Sequence, residues 1–207
     1  MTSRFITTAL VFGLACASGT AFATTVFSDD FEDGDVSDWS ISKSANISVP
    51  VLTIRSDSVH AGAAALWTYF DAPNGGIGAG YVRASHTFTA TAGATDFTLD
   101  LWARSSPCQG CTMYFDVLVD GLQLTRDGSA PSSFTGRTFS LGTLATGTHT
   151  LTLGMYTDAA SGGRFNATFD DVVISANIPA VPEPESYAML LAGLGVVSVI
   201  ARRRPAR

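Results

Sequence analysis

The sequence predicts an all-β domain, a sandwich or barrel, flanked by two terminal segments of different character. Three observations carry this. Through the middle of the chain apolar residues alternate with polar ones at period two, turn signals divide these runs, and no stretch there shows a convincing 3.6-residue period. Only 14% of the 207 residues are charged and Lys43 is the sole lysine, which excludes a helical bundle built from Leu, Glu and Lys. With 46% apolar and 10% aromatic residues the chain can still build a core, so it is not disordered.

Strands are expected near 25–31, 49–55, 63–70 and 83–90. Phe97, Leu99, Leu101 and Ala103 then alternate with Thr98, Asp100, Trp102 and Arg104. Met113, Phe115, Val117 and Val119 alternate with Thr112, Tyr114, Asp116 and Asp120. A strand near 135–141 follows, then Leu151, Leu153 and Met155 alternating with Thr152, Gly154 and Tyr156, and a last run over 168–175. Asp120-Gly121, Asp127-Gly128 and Ser161-Gly162-Gly163 punctuate the series. Eight or more strands joined by short turns mean a sandwich or barrel. Trp39 reads as a core plug near the first strand. Trp67 and Tyr69 share one face of their strand and Leu66 and Phe70 the other, the pattern of a strand buried on both sides.

The ends are processing and sorting segments. Residues 1–23 place Arg4 before an apolar run and close on Ala21-Phe22-Ala23, the layout of a secretory signal helix cleaved before Thr24. Residues 178–186 carry three prolines and form a stiff linker. Residues 187–201 are an unbroken apolar stretch, expected as a short transmembrane helix. At 1.5 Å per residue it reaches roughly 22 Å against a ~30 Å hydrocarbon core, and snorkelling arginines make up part of the gap. Arg202, Arg203 and Arg204 would stop it at the membrane, with 202–207 as a cytoplasmic tail. The succession Val181-Pro182-Glu183-Pro184, Met189-Leu190-Leu191-Ala192-Gly193-Leu194-Gly195 and the arginine cluster resembles the PEP-CTERM sorting signal of Gram-negative bacteria. That resemblance implies a transient inner-membrane anchor, processing by an exosortase, and delivery to the cell surface or an exopolysaccharide matrix.

Between the ends lies a domain of residues 24–177, in which seven basic residues stand against sixteen acidic ones for a net charge of −9. No basic face is available to neutralise phosphates, so nucleic acid is not an expected partner. Phe31-Glu32-Asp33-Gly34 with Asp38-Trp39, then His60-Ala61-Gly62, then Phe97 to Arg104, and finally Phe169-Asp170-Asp171-Val172-Val173-Ile174 follow one another in an order that resembles galactose-binding-like carbohydrate-binding modules. The resemblance implies a jelly-roll β-sandwich, often with a structural calcium, and frequently glycan binding; fold transfers better than function.

Several constellations are candidates for chemistry. In a jelly roll the first and last strands lie close, so the early acids, Asp30 and Glu32 among them, can meet Asp170, and converging carboxylates suit calcium. The resemblance implies the same pairing of an early acid with a last-strand aspartate. The alternative is a solvated acidic loop. Cys108 and Cys111, exported to an oxidising compartment, are expected to form a short disulfide; redox or metal chemistry would need partners the sequence does not offer. If the strands around 97–104 and 113–119 pair as a hairpin in even register, Trp102 faces Tyr114, Arg104 faces Thr112 and Asp100 faces Asp116. Trp102, Tyr114, Asp100 and Arg104 would then make a sugar site, rings stacking on C–H faces and polar groups bonding hydroxyls. Against it, a tight turn at Gln109-Gly110 gives the odd register that opposes inward to outward residues unless a bulge intervenes, and the alternative is that a neighbouring loop covers Trp102. No nucleophile elbow or metalloprotease motif surrounds the three histidines. The reading is a non-catalytic carbohydrate-binding protein of the surface or matrix. A structural or adhesion protein without a glycan site is the alternative, and a glycan-active enzyme ranks third.

Overall fold

The computed structural model describes residues 22–47, 50–72, 78–106, 113–127, 132–160, 163–179 and 184–202. The strands are β1 (Phe22–Asp29), β2 (Ser40–Lys43), β3 (Pro50–Arg55), β4 (Ala65–Ala72), β5 (Gly78–Ala90), β6 (Thr95–Ser106), β7 (Met113–Val119), β8 (Leu122–Asp127), β9 (Thr135–Gly142), β10 (Gly147–Ala160) and β11 (Gly163–Ile178). A helix, α1 (Pro184–Arg202), follows. The strands form two antiparallel sheets. One runs β3-β4-β11-β6-β9 with β1 also on β11, and the other runs β2-β5-β10-β7-β8. β11 is long enough to serve two neighbours along one edge. Residues 163–169 pair with β4 and residues 172–178 with β1, on either side of a register shift between Asp170 and Val173.

The alternation in the sequence decides which side chains enter the space between the sheets. Leu99, Leu101 and Ala103 of β6 meet Phe115, Val117 and Val119 of β7, Leu151, Leu153 and Met155 of β10, and Phe169 of β11 in one core. Phe115 and Phe169 touch edge to face across it at 5.7 Å. Phe31, Phe97, Phe115 and Phe169 are fully buried, each such side chain contributing about 1.5–3 kcal/mol. Trp39 plugs the core as expected and donates its indole N–H to Asp29 Oδ2 at 2.7 Å.

Three expectations are corrected. β6 and β7 do not pair: they lie in different sheets, so Trp102 does not face Tyr114, nor Asp100 Asp116. Both strands send an apolar row into the same core from opposite sides, which side-by-side strands of one sheet cannot do. β4 is not buried on both sides either: Leu66 is fully buried, but Trp67 and Tyr69 are half-buried on the outer face. The transmembrane span is not supported. α1 lies where it was expected, yet among the described residues no helix is long and apolar enough to cross a membrane. β2 and β8 were not expected. β8 follows a two-residue turn in which both Asp120 (φ 52°) and Gly121 (φ 77°) take left-handed backbone, as the tight hairpin between Val119 and Leu122 requires. Residues 1–21 of the expected signal segment lie outside the described residues, and Phe22 and Ala23 open β1.

Candidate functional site

The outer face of the five-stranded sheet is built in rows, because β5, β10 and β7 stand in register. Tyr81, Tyr156 and Tyr114 occupy one row on three adjacent strands, and Arg83, Gly154 and Asp116 the next. All three tyrosines are half-buried, and the rings of Tyr114 and Tyr156 lie 6.2 Å apart. The Arg83 guanidinium sits 4.3 Å over the Tyr81 ring. Its Nε donates to Asp116 Oδ2 at 2.7 Å and a second guanidinium N–H donates to the same oxygen. Asp116 is fully buried, and among the described residues its other oxygen has no hydrogen-bond partner.

Arg83 and Asp116 flank β10 on opposite sides, so the pair must cross that strand. Gly154 makes the crossing open. A Cβ there would stand 2.3 Å from the Val82 carbonyl oxygen and 2.9 Å from Arg83 Cα and Cγ. In the following row Ser85 and Thr152 share a 2.9 Å hydroxyl hydrogen bond. The face therefore offers aromatic rings, hydroxyls and one charge-compensated arginine, which is chemistry for a polyhydroxylated, uncharged ligand.

Asp100, Trp102 and Arg104 do share a face, the outer one of the six-stranded sheet, but Tyr114 belongs to the other sheet. Trp102 is not a bare platform. His60 stacks on it at 3.7 Å and 11°, and the ring rests against Gly136 of the neighbouring strand, where a Cβ would approach it to 3.2 Å. His60 Nδ1 is 2.6 Å from Asp171 Oδ2, and Phe134 meets the His60 ring edge-on at 5.9 Å. Arg104 reaches over Phe134 at 5.8 Å, and Asp100 accepts a hydrogen bond from the Thr138 hydroxyl. Asp100, Trp102, Gly136, Thr138 and Asp171 line a pocket of about 260 Å³ here.

The acids expected to hold calcium converge on a loop instead. Glu32 Oε1 accepts the Ala63 and Ala64 N–H groups at 2.8 and 2.9 Å. Asp170 Oδ2 accepts the His60 and Ala61 N–H groups, and its Oδ1 the Asp171 N–H at 2.9 Å. Gly62, between them, has φ +64° and no room for a Cβ, which would lie 2.2 Å from Glu32 Oε1. Burial holds the Asp170 pKa above the ordinary carboxyl value, outweighing the three amide donors that act to lower it. Asp30 accepts the Glu32 N–H at 3.2 Å. Among the described residues no three His, Cys, Asp or Glu side chains form a metal-holding group, and the acid oxygens named here point at N–H donors. The donor set does not fit a calcium ion as it stands.

Cys108 and Cys111 lie outside the described residues, as do Val181, Pro182, Glu183, Arg203 and Arg204. Pro184 opens α1 and Arg202 closes it; proline suits a first helical position because the N–H it lacks has no partner there. Sequence reasoning missed Tyr81, Arg83 and Tyr156 as a group. Alternation places each on an outer face, but nothing local says that β5, β10 and β7 are neighbours.

Residues 180–204 match the PEP-CTERM protein-sorting motif. No curated protein matches the sequence. Among solved structures, the chain is similar to the CBM22-1 xylan-binding domain from Paenibacillus barcinonensis, at 12% identity over 80% of this chain and 100% of that one, with a TM-score of 0.52. It is also similar to a structure addressing the promiscuous specificity of carbohydrate-binding modules of the β-sandwich superfamily, at 16% identity over 76% of this chain and 63% of that one, with a TM-score of 0.54. At these identities the likeness shows the fold. The chain is a two-sheet β-sandwich of the kind found in carbohydrate-binding-module jelly rolls, and it carries a PEP-CTERM protein-sorting motif, which indicates an exported protein.

Proposed function

We propose that this is a non-catalytic polysaccharide-binding protein of the cell surface or exopolysaccharide matrix, processed at its C-terminal motif by an exosortase. The observation that carries the binding reading is the in-register row Tyr81–Tyr156–Tyr114 beside the Arg83–Asp116 pair. Neighbouring strands lie about 4.8 Å apart, close to the length of one pyranose residue, so a glycan running across the strands meets successive rings with successive sugars. Arg83 is compensated by Asp116 and the domain is acidic, which favours a neutral glycan over an anionic one. The neighbours' descriptions as carbohydrate-binding modules support the same reading. Calcium is no part of the proposal.

The test is titration of the protein with neutral oligosaccharides, followed at the tyrosine ring signals by NMR. Signals of Tyr81, Tyr114 and Tyr156 should shift together, and Tyr156→Ala should weaken that binding about tenfold, the equivalent of one lost ring contact of about 1.4 kcal/mol. Shifts confined to other residues would refute the assignment. A protein that binds no glycan leaves the structural-matrix reading in its place.

A further inference from the structure

The outer face of the six-stranded sheet holds a second group of the same make, at the β3–β4 corner. The Arg55 guanidinium lies 4.7 Å over the Trp67 ring, and the Trp67 and Tyr69 rings stack at 5.0 Å and 14°. Arg55 Nε donates to Asp57 Oδ1 at 2.6 Å, and a second guanidinium N–H to Oδ2. On the other sheet Arg83 stacks on Tyr81 and is held by Asp116. Each outer face thus presents an aromatic ring, an arginine stacked on it and an aspartate that compensates the arginine.

The corner group has no role in the core, because Leu66 and Thr68 take the buried positions of β4 and leave Trp67 and Tyr69 half-exposed outside. The register sets Thr53 and Val51 beside them on β3, and Thr168 and Asn166 on β11. A stacked Trp–Tyr pair with a compensated charge attracts neither an anion nor a cation strongly. With Arg55 over Trp67 and Tyr69 stacked on it, the pair presents its ring edges rather than an open face, an apolar rim against which the C–H groups of a sugar can lie with Asp57 beside it to accept hydroxyls.

We propose that this corner is a second site for a neutral polysaccharide, so that one domain grips two chains, one on each sheet, and cross-links them. The proposal rests on the glycan reading of the tyrosine face. Its test uses the full-length chain and a neutral polysaccharide that retards it in a native gel, with turbidity of mixtures as the second readout. Bivalent binding predicts turbidity that peaks at an intermediate protein-to-polymer ratio and falls with excess protein. Trp67→Leu/Tyr69→Leu and, separately, Tyr81→Ala/Tyr156→Ala should each abolish the peak yet leave the protein retarded. The four substitutions together should abolish both.

Unchanged turbidity in the Trp67→Leu/Tyr69→Leu variant overturns the second site and leaves the first standing. So does a complete loss of retardation when only the tyrosine face is altered. Undiminished retardation of the tyrosine-face variant, with retardation lost at the corner variant, overturns the first reading instead. If light scattering shows a polymer-free oligomer that Trp67→Leu dissolves, the corner is a self-association surface and the proposal fails. A wild-type chain retarded by no neutral polysaccharide overturns both readings. Should the double leucine variant not fold, Tyr69→Leu alone removes one ring of the stacked pair, with the same outcomes expected.

Discussion

Asp116 is the side chain whose removal tests most directly how the tyrosine face is held. It is fully buried and its partner Arg83 is only 22% exposed, so the pair sits largely out of water. Breaking a buried pair by removing one partner costs about 3–5 kcal/mol, chiefly because the survivor is left uncompensated. Arg83 can turn partly toward solvent, which places Asp116→Ala near the lower end, about 3 kcal/mol. For a domain of this size that is a fall in Tm of roughly 6–12 °C. Replacing both residues by apolar ones, Arg83→Met with Asp116→Leu, should be close to neutral or stabilising, since it also removes the unpartnered Asp116 Oδ1. The assay is thermal melting of wild type, both single variants and the double variant, read as a double-mutant cycle. A double variant that falls by the sum of the singles would show no coupling and refute the account. A loss of under about 2 °C in Asp116→Ala would do the same.

Two further outcomes follow from the same sheet. Gly154→Ala should destabilise by about 1–3 kcal/mol through overpacking, because its Cβ has no room against the Val82 carbonyl and Arg83; melting checks this, and an unchanged Tm would mean the strands yield freely. His149 stands with Nδ1 2.6 Å from Asp120 Oδ2 and Nε2 2.7 Å from the Ala145 carbonyl oxygen, so each ring nitrogen faces an acceptor, an arrangement that favours the protonated ring. The Asp120 hydrogen bond first, then the Ala145 carbonyl, raise its pKa above 6.5 against the opposing effect of burial. Its contribution is therefore full below 6.5 and lost as the pH rises through the raised value. Asp120 is half-exposed, so His149→Gln should cost about 1 kcal/mol in mildly acidic buffer and progressively less in alkaline buffer; a cost that grows with pH would reverse the reasoning.

The sequence showed which side chains face inward more readily than which strands are neighbours. Period-two alternation sorted Leu99, Leu101, Phe115, Val117 and Leu153 into the core without reference to any other strand, because the pleat alone sets that direction. It could not say that β6 and β7 belong to different sheets. A hairpin and a crossing between sheets have the same strand pattern, and the one signal in segment 107–112 is that a tight turn at Gln109-Gly110 would give odd register, which speaks against the hairpin without naming the true neighbours. The site suffered accordingly: Trp102 and Tyr114 are each on an outer face, as read, but on opposite sides of the molecule. Asp120-Gly121 reads as a turn, and an Asp-Gly pair next to an alternating strand is also the signal of a two-residue hairpin, which points to the returning strand β8. Asp171 was not foreseeable in this way. Its φ of +48° belongs to the irregularity in β11, which only the pairing with β6 reveals.

The two outer faces are held by different means, and this decides where a ligand meets a prepared surface. On the six-stranded sheet the loop before β4 supplies the contacts: Ser58 approaches Thr168 at 3.5 Å, His60 stacks on Trp102, and Glu32 and Asp170 fix the loop amides. Trp102, the residue with the most obvious sugar chemistry in the sequence, is thereby engaged in anchoring that loop. On the five-stranded sheet the strands hold their own face, through Arg83–Asp116 and Ser85–Thr152, each a side-chain pair between strands of the sheet. Groups mounted on paired strands keep their spacing better than groups on loops. Less conformational freedom then remains to be lost when a glycan docks, and the surplus goes to affinity. The register of β5, β10 and β7 is what converts three unremarkable tyrosines, far apart in the sequence, into one ordered row.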